Sequence, residues 1–212
     1  MKIRTILNID EHGGSPYKER RREAFKMFIQ TESTPNPATL KFLPGQTVLE
    51  AGTADFPSNE GAEKSPLVQR IFAVEGVTGV FLGRDFITIT KEDAINWDHV
   101  KPALLGAIME HFQSGDAVMT DEGLGSGHAE HSGEDEVIVG QIKELLDSRV
   151  RPAVAQDGGD ITFYGFERGI VYLQMQGACA GCPSSTMTLK MGIENLLRHY
   201  IPEVTEVRPV GG

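Results

Sequence analysis

Two cysteines and no apolar run near the ~20 residues that cross a bilayer set the first limits on this chain of 212 residues. Two thiols cannot build the disulfide framework of a small secreted scaffold. Positive charge is scarce as well. Lys and Arg number 20 against 30 Asp and Glu, a net charge of −10. Such a surface repels phosphate backbones and anionic lipid, which argues against nucleic acid and membrane as partners. Low-complexity character is also missing. Twenty-four Gly and 11 Pro call for some loop or linker, while 40% hydrophobic and 24% charged residues are an ordinary globular balance. The length suits one or two domains. Unusual chemistry must be sought at the two thiols.

Residues 1–26 carry Lys and Arg mixed with Asp10, Glu11, Glu19 and Glu23. They lack the apolar core of a secretory signal, and transit peptides avoid acids. The basic cluster at 18–22 is diluted by its acidic neighbours, so the stretch reads as a mobile extension. Regular patterning begins at Met27, which marks an alternative start.

Residues 114–133 hold five Gly, four acids and no Lys or Arg. Little apolar surface is available there to offset the entropy of ordering, so a flexible Gly-rich acidic linker is expected. His128 and His131 are three apart but have no scaffold, and read as solvated. The expected fold class is α+β: two small α+β domains, 27–113 and 134–212, on either side of this linker.

In the first domain, strands are expected near 28–32 and 38–43, broken by Ser33-Thr34-Pro35-Asn36-Pro37. Ser65-Pro66 should open a helix reaching Ala73. Val77 to Leu82 and Phe86 to Thr90 flank a Gly83-Arg84-Asp85 turn. Val100, Leu104, Ala107 and Ile108 mark a second helix, with Trp97 packing near its start. His99 and His111 read as surface or packing residues. No acid–base or nucleophile constellation stands out, so recognition or regulation is the expected role.

The second domain should run α-β-β-α-β. Ile138, Ile142, Leu145, Leu146 and Val150 share one helical face, and Pro152 should kink or end that helix. Asp157-Gly158-Gly159-Asp160 turns the chain. Ile161 to Phe166 and Ile170 to Gln176 form an antiparallel pair, with Val171, Leu173 and Met175 on one face. Leu189, Ile193, Leu196, Leu197 and Tyr200 mark the last helix, and Thr205 to Val207 a final strand.

Cys179 and Cys182 are spaced C-x-x-C between the second strand and that helix. Pro183 suits a first helical turn. Unpaired amides and the positive end of the helix dipole should then favour thiolate, in an exposed loop. Gly177 and Gly181 allow close backbone approach to a bulky ligand. A buried inert pair fits poorly beside Gly, Ala and Pro. A thiol–disulfide oxidoreductase is the usual reading of a lone C-x-x-C, although two antiparallel strands and no aromatic residue precede it. Zinc and iron–sulfur sites need about four ligands. His199 lies roughly 25 Å away along the helix. Two chains about a twofold axis would supply four thiolates, for zinc or for iron.

The segments Val150-Arg151-Pro152-Ala153, Asp157-Gly158-Gly159-Asp160 and Gly177-Ala178-Cys179-Ala180-Gly181-Cys182-Pro183-Ser184-Ser185 resemble the C-terminal domain of NifU-like (Nfu-type) iron–sulfur scaffold proteins. Met27 to Gly45 is similar to the N-terminal domain of the mitochondrial and alphaproteobacterial branch. The resemblance implies a non-enzymatic carrier. Cys179 and Cys182 from each of two subunits would hold one bridging 4Fe–4S cluster, with 2Fe–2S or zinc as possible as-isolated contents. It also implies a homodimer, apo-protein clients and upstream assembly factors. Reduced cysteines and the missing signal point to a bacterial cytosol, with the mitochondrial matrix as the alternative.

Overall fold

The computed structural model describes residues 28–120, 135–180 and 183–210. The expected mobile extension at 1–26, the His128–His131 pair and Cys182 lie outside these residues. The class is α+β, as expected, and the described residues form two sheets, each with its own helices.

The first sheet is antiparallel. Its strands are β1 (Gln30–Ser33), β2 (Thr39–Leu43), β3 (Ala54–Phe56), β4 (Val77–Leu82) and β5 (Ile87–Lys91), in the order β1-β2-β5-β4-β3. Successive side chains alternate between faces. Leu40, Phe42, Val80, Leu82, Ile87 and Ile89 take one face. They pack with Leu67, Val68 and Ile71 of α1 (Pro66–Phe72) and Val100, Leu104 and Ile108 of α2 (Trp97–Ser114). Ser65 caps α1, its Oγ accepting the Val68 amide at 3.2 Å. Three-residue β3 and the 3-10 turn at Ala62–Lys64 escape sequence reading because neither is long enough to show a period.

Residues 115–120 depart from the expected linker. Val118 and Met119 pack on the first core. The Ser65 hydroxyl donates to the Val118 carbonyl at 2.5 Å, and the Thr120 amide to the Lys64 carbonyl at 2.8 Å. The acidic, Gly-rich composition hides two apolar side chains that find a groove.

The second sheet has the order β6-β7-β8: β6 (Gly159–Glu167), β7 (Ile170–Gly177) and β8 (Glu206–Val210). The β6–β7 pair is antiparallel, and β8 returns parallel to β7. Val171, Leu173 and Met175 are buried as the alternation requires. They pack against α3 (Asp135–Leu145), α4 (Arg151–Gln156) and α5 (Pro183–Tyr200) through Ile142, Val154, Ile193 and Leu197.

Pro152 does not end the first helical run. The turn before α4, Leu146–Val150, is a π-helix. A proline ring clashes with the carbonyl four residues earlier and offers no N–H. The wider turn relieves that conflict and the helix continues.

The two cores are distinct, and Phe81 (1% exposed) belongs to neither. It lies where the helix-free face of the first sheet meets the second unit.

Candidate metal centre

The Asp157–Asp160 turn and the cysteine turn are laced together at one end of the β6–β7 hairpin. Gly159 and Gly177 are register partners. The Ala178 amide donates to the Gly158 carbonyl at 3.1 Å, the Cys179 amide to Gln176 at 3.3 Å and the Ala180 amide to Gly177 at 3.1 Å. Gly159 is required by space. A Cβ there would overlap the Cys179 Sγ and come within 2.8 Å of the Gln176 carbonyl oxygen.

Asp160 anchors the turn. It is 3% exposed and carries four hydrogen bonds. Arg151 grips both carboxylate oxygens, Nε to Oδ1 and Nη2 to Oδ2, each at 2.8 Å. The Ile161 amide donates to Oδ1 at 2.8 Å, and the Thr53 hydroxyl to Oδ2 at 3.0 Å. A two-pronged guanidinium–carboxylate pair fixes orientation as well as charge. It ties α4 to the first residues of β6 and so sets where the cysteine turn sits.

Cys179 is 5% exposed and packs with the second core. Burial first, then the negative charges of Asp157 and Asp160, push its thiol up to about 12. This corrects the expectation of an exposed, thiolate-favouring loop. The thiol turns inward against Gly159, where low polarity and two carboxylates disfavour a negative sulfur. Among the described residues no three His, Cys, Asp or Glu side chains gather as a metal site. His99 and His199 are exposed, and His111 is buried in the first core region.

The first sheet supplies residues that sequence analysis does not connect with the cysteines. Asn36 donates through Nδ2 to the Ala180 carbonyl at 3.1 Å. Lys41 donates to the carbonyls of Ala155 at 3.2 Å and Gln156 at 3.0 Å. Thr88 donates to Gly158 at 2.6 Å. Asp55 accepts the Gly177 amide, and burial pushes its carboxyl up to about 6. A cleft of about 560 Å³ runs beside this seam, lined among others by Asn36, Asp55, Lys91, Gly177 and Ala180. The available signal was the alternation itself: Lys41 and Thr88 fall opposite the apolar face of their strands.

Two family models match the chain. Residues 29–115 match the family described as scaffold protein Nfu/NifU N terminal, and residues 142–208 match the NifU-like domain. The human "NFU1 iron-sulfur cluster scaffold homolog, mitochondrial" is 53% identical over 185 residues, covering 87% of this chain and 72% of that protein. The chain belongs to the NifU-like iron–sulfur scaffold family. A second member, Arabidopsis thaliana "NifU-like protein 4, mitochondrial", is 51% identical, covering 85% of this chain and 65% of its own length. The solution structure of a NifU-like protein from Saccharomyces cerevisiae is 25% identical, with a TM-score of 0.42 over 54% of this chain and 99% of that one. Within this NifU-like chain the segments that carry the resemblance acquire a structural sense. The Arg151–Asp160 pair and the two glycines of the Asp157–Asp160 turn position the strand end that carries Cys179.

Proposed function

We propose that this chain carries an iron–sulfur cluster as cargo, held by Cys179 and Cys182 of two copies, and passes it to apo-proteins. One observation carries the reading. A C-x-x-C pair, the chain's entire complement of cysteine, falls in sequence between β7 and α5 in a chain 53% identical to a named iron–sulfur scaffold homolog. Four thiolates are the common ligand set of a 4Fe–4S cluster. One copy holds two, so a twofold contact completes the set. A cluster shared across a seam is protected while the seam is closed. It is released when acceptor thiolates replace Cys179 and Cys182 in turn.

No residue is assigned a catalytic role. The inward Cys179 thiol, held protonated to about pH 12, speaks against a standing nucleophile for disulfide exchange, which acts as thiolate. Metal binding displaces the thiol proton, and the energy of coordination meets that cost. The two folded units are read as separate domains, 27–113 and 134–212, the second holding the cluster and the first engaging clients or upstream assembly factors. The human and Arabidopsis relatives are named as mitochondrial, which favours the mitochondrial matrix over the bacterial cytosol for this chain.

Anaerobic reconstitution tests the reading. The expected result is a brown dimer with about four irons and four sulfides per two chains. Cys179→Ala and Cys182→Ala should each abolish the visible absorption. A colourless, monomeric product from the parent chain would overturn it, and zinc in place of iron would convert it to a structural bridge.

A further inference from the structure

The helix-free face of the first sheet carries a row of side chains that crosses all five strands. Register partners run Glu32, Lys41, Thr88, Phe81 and Asp55. The last four touch the second unit in sequence order of its turn. Lys41 donates to the carbonyls at the end of α4, where a cation meets the negative end of the helix dipole. Thr88, 1% exposed, donates to Gly158. Phe81 lies against Gly177, where a Cβ would come within 2.8 Å of its ring. Asp55 accepts the Gly177 amide. Asn36, at the Pro-rich break, takes the Ala180 carbonyl. Four successive residues of this row, from Lys41 to Asp55, together meet the end of α4, the Asp157–Asp160 turn and the cysteine turn, which makes a shaped receptor.

We propose that this face of the N-terminal sheet is an intramolecular cap on the cysteine turn, and that it competes with a second copy of the chain for that turn. The proposal rests on the carrier reading for the identity of the competitor only. A cluster shared by two copies needs both cysteine turns at a common seam. In the structure the Gly177 amide and the Ala180 carbonyl are instead held by Asp55 and Asn36 of the N-terminal unit. Loading therefore requires the sheet to leave, and the capped chain is the apo, monomeric state. The occupant is the chain's own turn, because Lys41, Thr88 and Asp55 each find a partner there.

The test uses the full apo chain carrying Cys182→Ser, so that Cys179 is the one thiol. Amide hydrogen exchange is followed at Gly158 and Ala178–Ala180, with Leu173 inside β7 as an internal standard. Thr88→Arg and Lys41→Glu should each speed exchange at the turn about tenfold or more and leave Leu173 unchanged. Thr88→Val removes only the hydroxyl and keeps the strand's propensity. It should give about a threefold increase, the fold-change expected for one neutral hydrogen bond. Parental exchange at the turn in both Thr88 variants would overturn the cap. In the parent chain with both cysteines, cluster loading should raise exchange at Thr88 and Phe81. Protection that stays the same in a loaded dimer would also overturn it. Failure to take up iron and sulfide would sink the carrier reading and leave the apo measurements standing on their own.

Discussion

Arg151 and Asp160 show how one pair can organise a site without touching cargo. Asp160 is nearly inaccessible, and its charge is tolerable because four donors surround it. Arg151→Ala should cost about 1.5–3 kcal/mol in urea unfolding, the range for hydrogen bonds to a charged group. Arg151→Lys should recover only part of that, because an ammonium cannot grip both oxygens in the same plane. His111 presents the opposite case. Its ring is fully buried beside Phe112, and among the described residues neither ring nitrogen has a hydrogen-bond partner. Burial and the charge of Arg70 pull its pKa below 6.5, with Asp116 partly offsetting them. The unfolded chain therefore takes up a proton before the folded one does. Stability is full above pH 6.5 and falls as pH drops through that value towards the folded pKa. Unfolding free energies measured across that range should decline in the parent chain, and His111→Leu should flatten the decline.

At the scale of elements, short helices depend on their ends. Helix α1 has seven residues, too few to hold by propensity alone. Ser65 serves it twice, accepting the Val68 amide and donating to the Val118 carbonyl. Ser65→Ala should lower stability by about 1–2 kcal/mol, seen as a lower melting temperature. The same change should release residues 116–120, visible as faster amide exchange at Thr120. The run from α3 through α4 adjusts differently. A π-turn before Pro152 lets Ile142, Leu146 and Val150 stay on the core, while Arg151 keeps its reach to Asp160. Periodicity placed these apolar residues correctly. It does not reveal a change from α to π winding, which is decided by one missing donor and one ring.

Across the whole molecule, the seam between the two units is polar, fitted and weakened by rising pH. Asp55 is pushed up from 3.8 to about 6 by burial, against the Gly177 hydrogen bond. The docked arrangement thus holds a proton that a solvated Asp55 would release. Docking is strongest below about pH 4, weakens as pH rises to about 6 and is level above that. Amide protection of Gly177 and Ala178 followed over this range should show the loss. Asp55→Asn should remove it and protect the turn more strongly at neutral pH.

The α+β class, the second unit's strand order in sequence and the cysteine turn between β7 and α5 were all legible in the amino-acid pattern. Alternation, capping residues and Gly–Pro punctuation are local signals with local causes. Residue types near Cys179 also matched a family on motif alone. Tertiary structure decided what those residues experience. The inward thiol of Cys179, the grip of Arg151 on Asp160 and the row from Lys41 to Asp55 join positions far apart in the chain. Burial and hydrogen-bond partnership depend on which surfaces meet, and no window of sequence contains both sides of such a contact.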